Sequence, residues 1–218
     1  MSVEFMPCQI KNCGLNTLES VHWAVDAGAS YLGFVLYPPS PRAVSVDEAA
    51  RLTRNLPANI HTVAVMVNPS DDDLRALLPV WQPRMLQLHG DESESRVQEI
   101  KDRFSLPVIK AVPIATKDDI ATAHAYSRVA DMLLFDTKVE QGVSGGTGHS
   151  FDWSLLANEV FDVHWFLSGG LTCENVQDAI RITGAKKVDV SSGIEVSRGV
   201  KDAEKLRLFN QTVLECHG

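Results

Sequence analysis

Two residues with opposite proton-transfer chemistry stand at the ends of short apolar runs. Cys13 closes the run Pro7–Cys13 and is followed by Gly14; Asp136 closes Met132–Thr137 and faces a loop with Lys138 at its mouth and Gly145, Gly146 and Gly148 within it. A thiolate removes protons, and a carboxyl group shielded from water donates them. Placed across one cavity, the two would suit a proton shift beside a carbonyl or imine. Lys11 lies two residues before Cys13, on the same face of an extended chain, where its charge would favour thiolate at neutral pH. The plainer readings are a small buried hydrophobe at 13 and a turn-capping acid at 136.

Other residues have types suited to anions. Ser168-Gly169-Gly170 and Ser191-Ser192-Gly193 carry small side chains, so an anion can approach the backbone N–H groups directly. Arg42 ends the proline-stiffened turn Pro38-Pro39-Ser40-Pro41-Arg42, and a rigidly held guanidinium suits bidentate binding of a carboxylate. His89, in QLHG, either touches a ligand or hydrogen-bonds within its own loop.

These positions follow a regular alternation. Strand-like runs cover Pro7–Cys13, Ser30–Leu36, His61–Val67, Met85–His89, Pro107–Val112, Met132–Thr137, His164–Ser168 and Lys187–Ser191. Helix starts are marked between them: Asn16 or Thr17, the capping box Ser45-x-x-Glu48, Ser70 before three aspartates, Asp91-x-x-Glu94, Thr116 and Thr172; a last helix spans roughly Asp202–Cys216. Eight strand–helix units averaging about 27 residues predict one closed (β/α)8 TIM barrel, an α/β fold, with residues 1–218 forming a single catalytic domain. The rival open doubly wound sheet lacks its GxGxxG after the first strand. In such a barrel chemistry sits at the C-terminal ends of the strands, and phosphate at the loops after strands seven and eight, which here are the two serine–glycine loops.

The net charge of -8 excludes non-specific nucleic-acid binding but leaves room for an anionic small molecule in a local cationic cluster. No apolar run is long enough to cross a bilayer, and the start of the chain lacks the order of a signal peptide, so a cytoplasmic protein with reduced cysteines is expected. Cys8, Cys13, Cys173 and Cys216 form no CxxC pair and no zinc-type spacing, so no metal is expected. Monomer and homodimer are both compatible with the sequence.

The chain resembles the phosphoribosylanthranilate isomerases of tryptophan biosynthesis almost end to end, through KNCGL (11–15), AGASYLGFVLYPPSPR (27–42), QLHGDE (87–92), LLFDTK (133–138), GGTGHSFDW (145–153), LSGGLTCENV (167–176) and DVSSGIE (189–195). The resemblance implies a cofactor-free Amadori rearrangement of a small phosphorylated substrate. Asp136 matches the general acid, Cys13 the general base, Arg42 the holder of the anthranilate carboxylate, and the serine–glycine loops the phosphate cradle. Lys11, His89 and Asp189 are expected to touch substrate, Asp189 through ribose hydroxyls. Two departures stand out: Asn12 replaces an apolar residue on the helix-facing side of strand one, and LSGGL replaces the more usual LAGGL.

Two rivals remain. A histidine-pathway aminoaldose isomerase would carry acids on strands one and five and phosphate loops after strands three and seven, yet strand one ends in cysteine and VIKAVPI has no acid. A non-catalytic sugar-phosphate binder would need the phosphate loops but not Cys13 and Asp136 together.

Overall fold

The computed structural model describes residues 8–138 and 150–216. Eight parallel strands, β1 (Gln9–Cys13), β2 (Tyr31–Val35), β3 (His61–Met66), β4 (Met85–Leu88), β5 (Val108–Ile114), β6 (Met132–Thr137), β7 (His164–Leu167) and β8 (Lys187–Val190), close into a barrel in sequence order. The registers Lys11↔Asp189 and Cys13↔Gly33 seat β1 between β8 and β2.

Alternation sorts each strand into two sets of side chains. One set, with Cys13, Tyr31, Val63, Val65, Met85, Ile109, Ala111, Leu134 and Phe166, fills the barrel interior. The other, including Ile10, Leu32, Phe34, Leu86, Val108, Phe135 and Val188, packs beneath the helices. The same parity that buries these residues aims Cys13, Gln87, Asp136 and Asp189 inward, and sends Asn12 and Lys110 outward.

The helices are α1 (Leu18–Asp26), α2 (Val46–Thr53), α3 (Asp71–Leu77), α4 (Glu94–Phe104), α5 (Lys117–Tyr126), α6 (Val176–Thr183) and α7 (Ala203–Leu214). Thr17, Ser45 and Ser70 cap α1, α2 and α3 through reciprocal bonds with Ser20, Glu48 and Asp73. Such caps satisfy N–H groups that the first turn leaves without partners.

Two expected caps are corrected. Ser93, not Asp91, accepts from the Arg96 N–H and starts α4, because Glu92 between them is drawn into the barrel rim. Asn175, not Thr172, precedes α6; its Oδ1 accepts from the Thr172 N–H at 2.8 Å and its Nδ2 donates to the Gly170 carbonyl at 2.9 Å, fixing the SGGLT loop. Among the described residues β6 is followed by a single 3-10 turn, Trp153–Leu156, instead of an α-helix. Between β8 and α7 come a 3-10 turn, Ser192–Ile194, and a hairpin of β9 (Glu195–Ser197) and β10 (Val200–Lys201).

Asn12 is fully buried against α7, and there Asn210 answers it. Each amide donates to the other at 3.0 Å, and Asn210 also donates to the Ala27 carbonyl at 3.3 Å. A polar pair whose bonding capacity is met internally replaces an apolar contact without leaving a bare buried group.

Candidate active site

The C-terminal ends of the strands surround a cavity of about 440 Å³. Cys13, Arg42, His89, Asp136, Ser168, Gly169, Gly170, Asp189, Ser191 and Ser192 all line it, so chemistry dispersed over 180 residues of chain converges on one concave surface. Gly193 lies behind this wall, packed against the Leu171 carbonyl, where no side chain would fit. Gly145, Gly146 and Gly148 lie outside the described residues.

The β1–β8 wall is an ionic network. Lys11 Nζ donates to Asp189 Oδ1 at 2.7 Å, and Ser168 Oγ donates to Asp189 Oδ2 at 3.2 Å. Lys11 has no solvent exposure and is absent from the cavity wall, which corrects its expected contact with substrate: Asp189 and Cys13 stand between it and the cavity. Cys13 is 7% exposed. Gly33, facing it across the β1–β2 register, makes this possible, since a Cβ at 33 would come within 2.8 Å of Cys13 Sγ and 3.2 Å of Lys11 Nζ. Burial pushes the Cys13 thiol above its ordinary value, and the attraction of Lys11 opposes that shift without reversing it. The expectation that Lys11 makes Cys13 a thiolate at neutral pH is therefore corrected. Burial also disfavours the Lys11 ammonium, yet Asp189 outweighs it and holds Lys11 charged, with its pKa raised.

The opposite wall is wetter. Asp136 Oδ1 accepts from the Thr137 N–H at 2.8 Å, while Oδ2 lies 3.4 Å from His89 Nε2; the two side chains are 32% and 37% exposed. Gln87 Nε2 lies 2.8 Å from His89 Nδ1. This contact fixes the ring so that its Nε2 edge faces Asp136. Lys138 turns away to Asp119 at 2.8 Å. Lys110, facing the helices, pairs with buried Glu92 at 2.8 Å and stays out of the cavity. Glu92 in turn accepts from the Asn68 N–H at 2.7 Å and the Gly90 N–H at 3.0 Å, which shapes the loop that carries His89.

At the anion-binding end, Gly169 and Gly170 adopt left-handed backbone, φ 87° and 65°, conformations that side chains resist. Arg42 is engaged bidentately by Glu195, Nε to Oε1 at 2.7 Å and Nη2 to Oε2 at 2.8 Å. The sequence reading missed Glu195, Lys201, Gln87 and Arg198, the last of which also lines the cavity. Gln87 was detectable by strand parity, two residues before His89. Glu195 lies 153 positions from Arg42, and no local pattern announces that pairing.

A closed (β/α)8 barrel that brings a thiol and a carboxyl group to one cavity, beside two glycine-rich turns after its last two strands, defines a barrel enzyme built for proton transfer on a small anionic substrate. Comparison with known proteins narrows the class. Residues 10–212 match the family model described as N-(5'phosphoribosyl)anthranilate (PRA) isomerase. The chain is 47% identical over 206 residues to the N-(5'-phosphoribosyl)anthranilate isomerase of Rhodopseudomonas palustris, covering 94% of each chain. It is also 47% identical over 208 residues to that of Parvibaculum lavamentivorans, covering 94% of this chain and 97% of the relative. The crystal structure of phosphoribosyl anthranilate isomerase from Thermotoga maritima superposes with a TM-score of 0.84 at 36% identity, covering 94% of this chain and 98% of that one. A second solved phosphoribosyl anthranilate isomerase, in complex with reduced 1-(o-carboxyphenylamino)-1-deoxyribulose 5-phosphate, gives a TM-score of 0.83 at 34% identity over 94% of this chain and 98% of that one. The chain belongs to the N-(5'-phosphoribosyl)anthranilate isomerase family.

Proposed function

We propose that this chain converts N-(5'-phosphoribosyl)anthranilate into 1-(2-carboxyphenylamino)-1-deoxyribulose 5-phosphate, an aldose-to-ketose step of tryptophan biosynthesis. The observation that carries the reading is the shared cavity of Cys13 and Asp136 with the two serine–glycine loops. Asp136 protonates the ribose ring oxygen as the C1–O bond breaks, leaving an open-chain iminium. Cys13, through the minor thiolate fraction that Lys11 favours against burial, removes the C2 proton; the electron pair neutralises the iminium and forms an enolamine, which tautomerises to the ketone. The C1–O bond breaks onto a protonated oxygen and the C2–H electron pair stays within the substrate, so the chemistry calls for no redox or group-carrying cofactor.

Placement supports these roles. The phosphate is held by backbone N–H groups of the loops at 168–170 and 191–192, and the anthranilate carboxylate by Arg42. Between them the sugar lies over Asp189, with Asp136 and His89 on one side and Cys13 on the other. Asp189 is already bonded to Lys11 and Ser168, so it offers ribose hydroxyls an acceptor of fixed orientation. The closed barrel acts as one catalytic unit. No described helix is long and apolar enough to cross a membrane, and we place the enzyme in the cytoplasm, where its four cysteines stay as free thiols.

The test is the fluorescence of freshly prepared N-(5'-phosphoribosyl)anthranilate mixed with the purified chain. Enzyme-dependent decay to the ketose product is the expected result; a decay no faster than spontaneous breakdown would refute the assignment.

A further inference from the structure

The contacts of Arg42 continue beyond Glu195. Lys201 Nζ, buried, donates to the same Glu195 Oε1 at 2.8 Å. Its remaining donors reach the Ser191 carbonyl at 2.9 Å and Ser191 Oγ at 3.2 Å. The second Glu195 oxygen also accepts from the Gly199 N–H at 3.2 Å. One buried carboxylate therefore stands between two buried cationic side chains; burial works against the Lys201 ammonium and lowers its pKa while Glu195 works for it, and with Lys201 charged the cluster carries a single net positive charge. Lys205, exposed, reaches only the Glu195 backbone carbonyl, at 2.8 Å. The neighbouring Lys11–Asp189 pair is self-neutral, and Arg198 is exposed, where water weakens its pull.

The geometry of Arg42 shows where that charge is available. Glu195 occupies the side edge of the guanidinium, through Nε and Nη2. The end edge, with Nη1, donates no hydrogen bond to the described residues, and Arg42 lines the cavity. A planar guanidinium can grip two carboxylates on its two edges. Without Lys201, the Arg42–Glu195 pair would be neutral, and a second carboxylate would meet almost no net attraction.

We infer that Lys201 is a positioning residue for carboxylate recognition: by neutralising Glu195 it leaves Arg42 a full positive charge that the carboxylate of the substrate completes. This inference rests on the proposed function and adds to it the source of the demand for the ortho-carboxylate. It also separates two duties of the hairpin, since Lys201 holds the Ser191 turn as well.

The test measures dissociation constants of two ligands, reduced 1-(2-carboxyphenylamino)-1-deoxyribulose 5-phosphate and its phenylamino counterpart without the carboxyl group. They are measured against wild type, Lys201→Met and the charge-restoring double variant Lys201→Met/Glu195→Gln. Lys201→Met should weaken the carboxylated ligand about tenfold or more, the scale of losing one charge at a buried ionic contact. The other ligand, which shares only the loss of the Lys201–Ser191 bonds, should weaken by a clearly smaller factor, no more than about threefold, and the difference between the two ligands should appear in KM more than in kcat. The double variant, which regains the net positive charge, should recover most of the affinity, and its circular dichroism checks folding if the single variant is unstable. Equal weakening of both ligands would mean that Lys201 serves only the Ser191 turn, and no weakening or no recovery would likewise overturn the inference. A wild-type chain that turns over substrate under any of these outcomes keeps the proposed function intact.

Discussion

The two walls of the cavity differ in how they hold their proton-transfer groups. On the β1–β8 side, Cys13 is packed against Gly33 in front of a buried Lys11–Asp189 ion pair, with little of either wall residue open to the cavity before any ligand arrives. On the β4–β6 side, Asp136 and His89 meet at 3.4 Å with about a third of each side chain exposed. The base is thus preassembled in a dry setting that keeps it mostly protonated, whereas the surroundings of the acid are completed by what occupies the cavity. In a site of this kind, bound substrate changes the environment of one partner far more than that of the other.

The contrast can be broken most sharply through stability. Lys11→Met strands Asp189 as a lone buried carboxylate and should cost about 3–5 kcal/mol in urea unfolding. Lys138→Met, which removes the half-exposed partner of Asp119 beyond β6, should cost no more than about 1 kcal/mol. Similar losses in the two variants would erase the distinction between a dry wall and a wet one.

A smaller effect is expected outside the cavity. Asn12→Leu leaves the buried Asn210 Oδ1 without its donor and should destabilise by about 1–3 kcal/mol. Asn12→Leu/Asn210→Leu should recover much of that loss, again read by urea unfolding. A double variant as unstable as the sum of its parts would mean that the pair is not matched as described.

The pH dependence of thiol reactivity sharpens the comparison further. Because burial raises the Cys13 pKa, thiolate is the minor form at neutral pH, and its fraction grows as pH rises. Alkylation of Cys13 by iodoacetamide in the unliganded protein should therefore increase with pH, with a midpoint above the ordinary thiol value of about 8.5. A midpoint below that value would show Lys11 prevailing over burial. The smallest change is expected for Gln87→Leu, which removes the bond to His89 Nδ1. Nitrogen NMR of His89 should then show a changed distribution of the proton between the two ring nitrogens, and an unchanged distribution would mean that Gln87 does not set it.

The sequence carried the fold in its rhythm. Apolar runs and capping residues located the eight strands, because strand length and helix starts are local properties. Strand parity then told which way Cys13 and Asp136 point, and why Asn12 faces a helix. What the sequence concealed was pairing at long range. Ser93 supplanted Asp91 as a cap because Glu92 was claimed by Lys110, and Lys11 was withdrawn from the cavity by Asp189. Glu195 and Lys201 belong to a hairpin too short to leave a periodic signal, and their meaning emerges only beside Arg42.

The account is tested most directly by comparing ligand affinity with turnover in Cys13→Ala and Asp136→Asn. Each variant should bind reduced 1-(2-carboxyphenylamino)-1-deoxyribulose 5-phosphate within a few-fold of wild type while kcat falls by roughly 10²–10⁴, the usual weight of a positioned acid or base. Near-normal kcat in either variant would contradict the assignment of that residue as proton donor or acceptor.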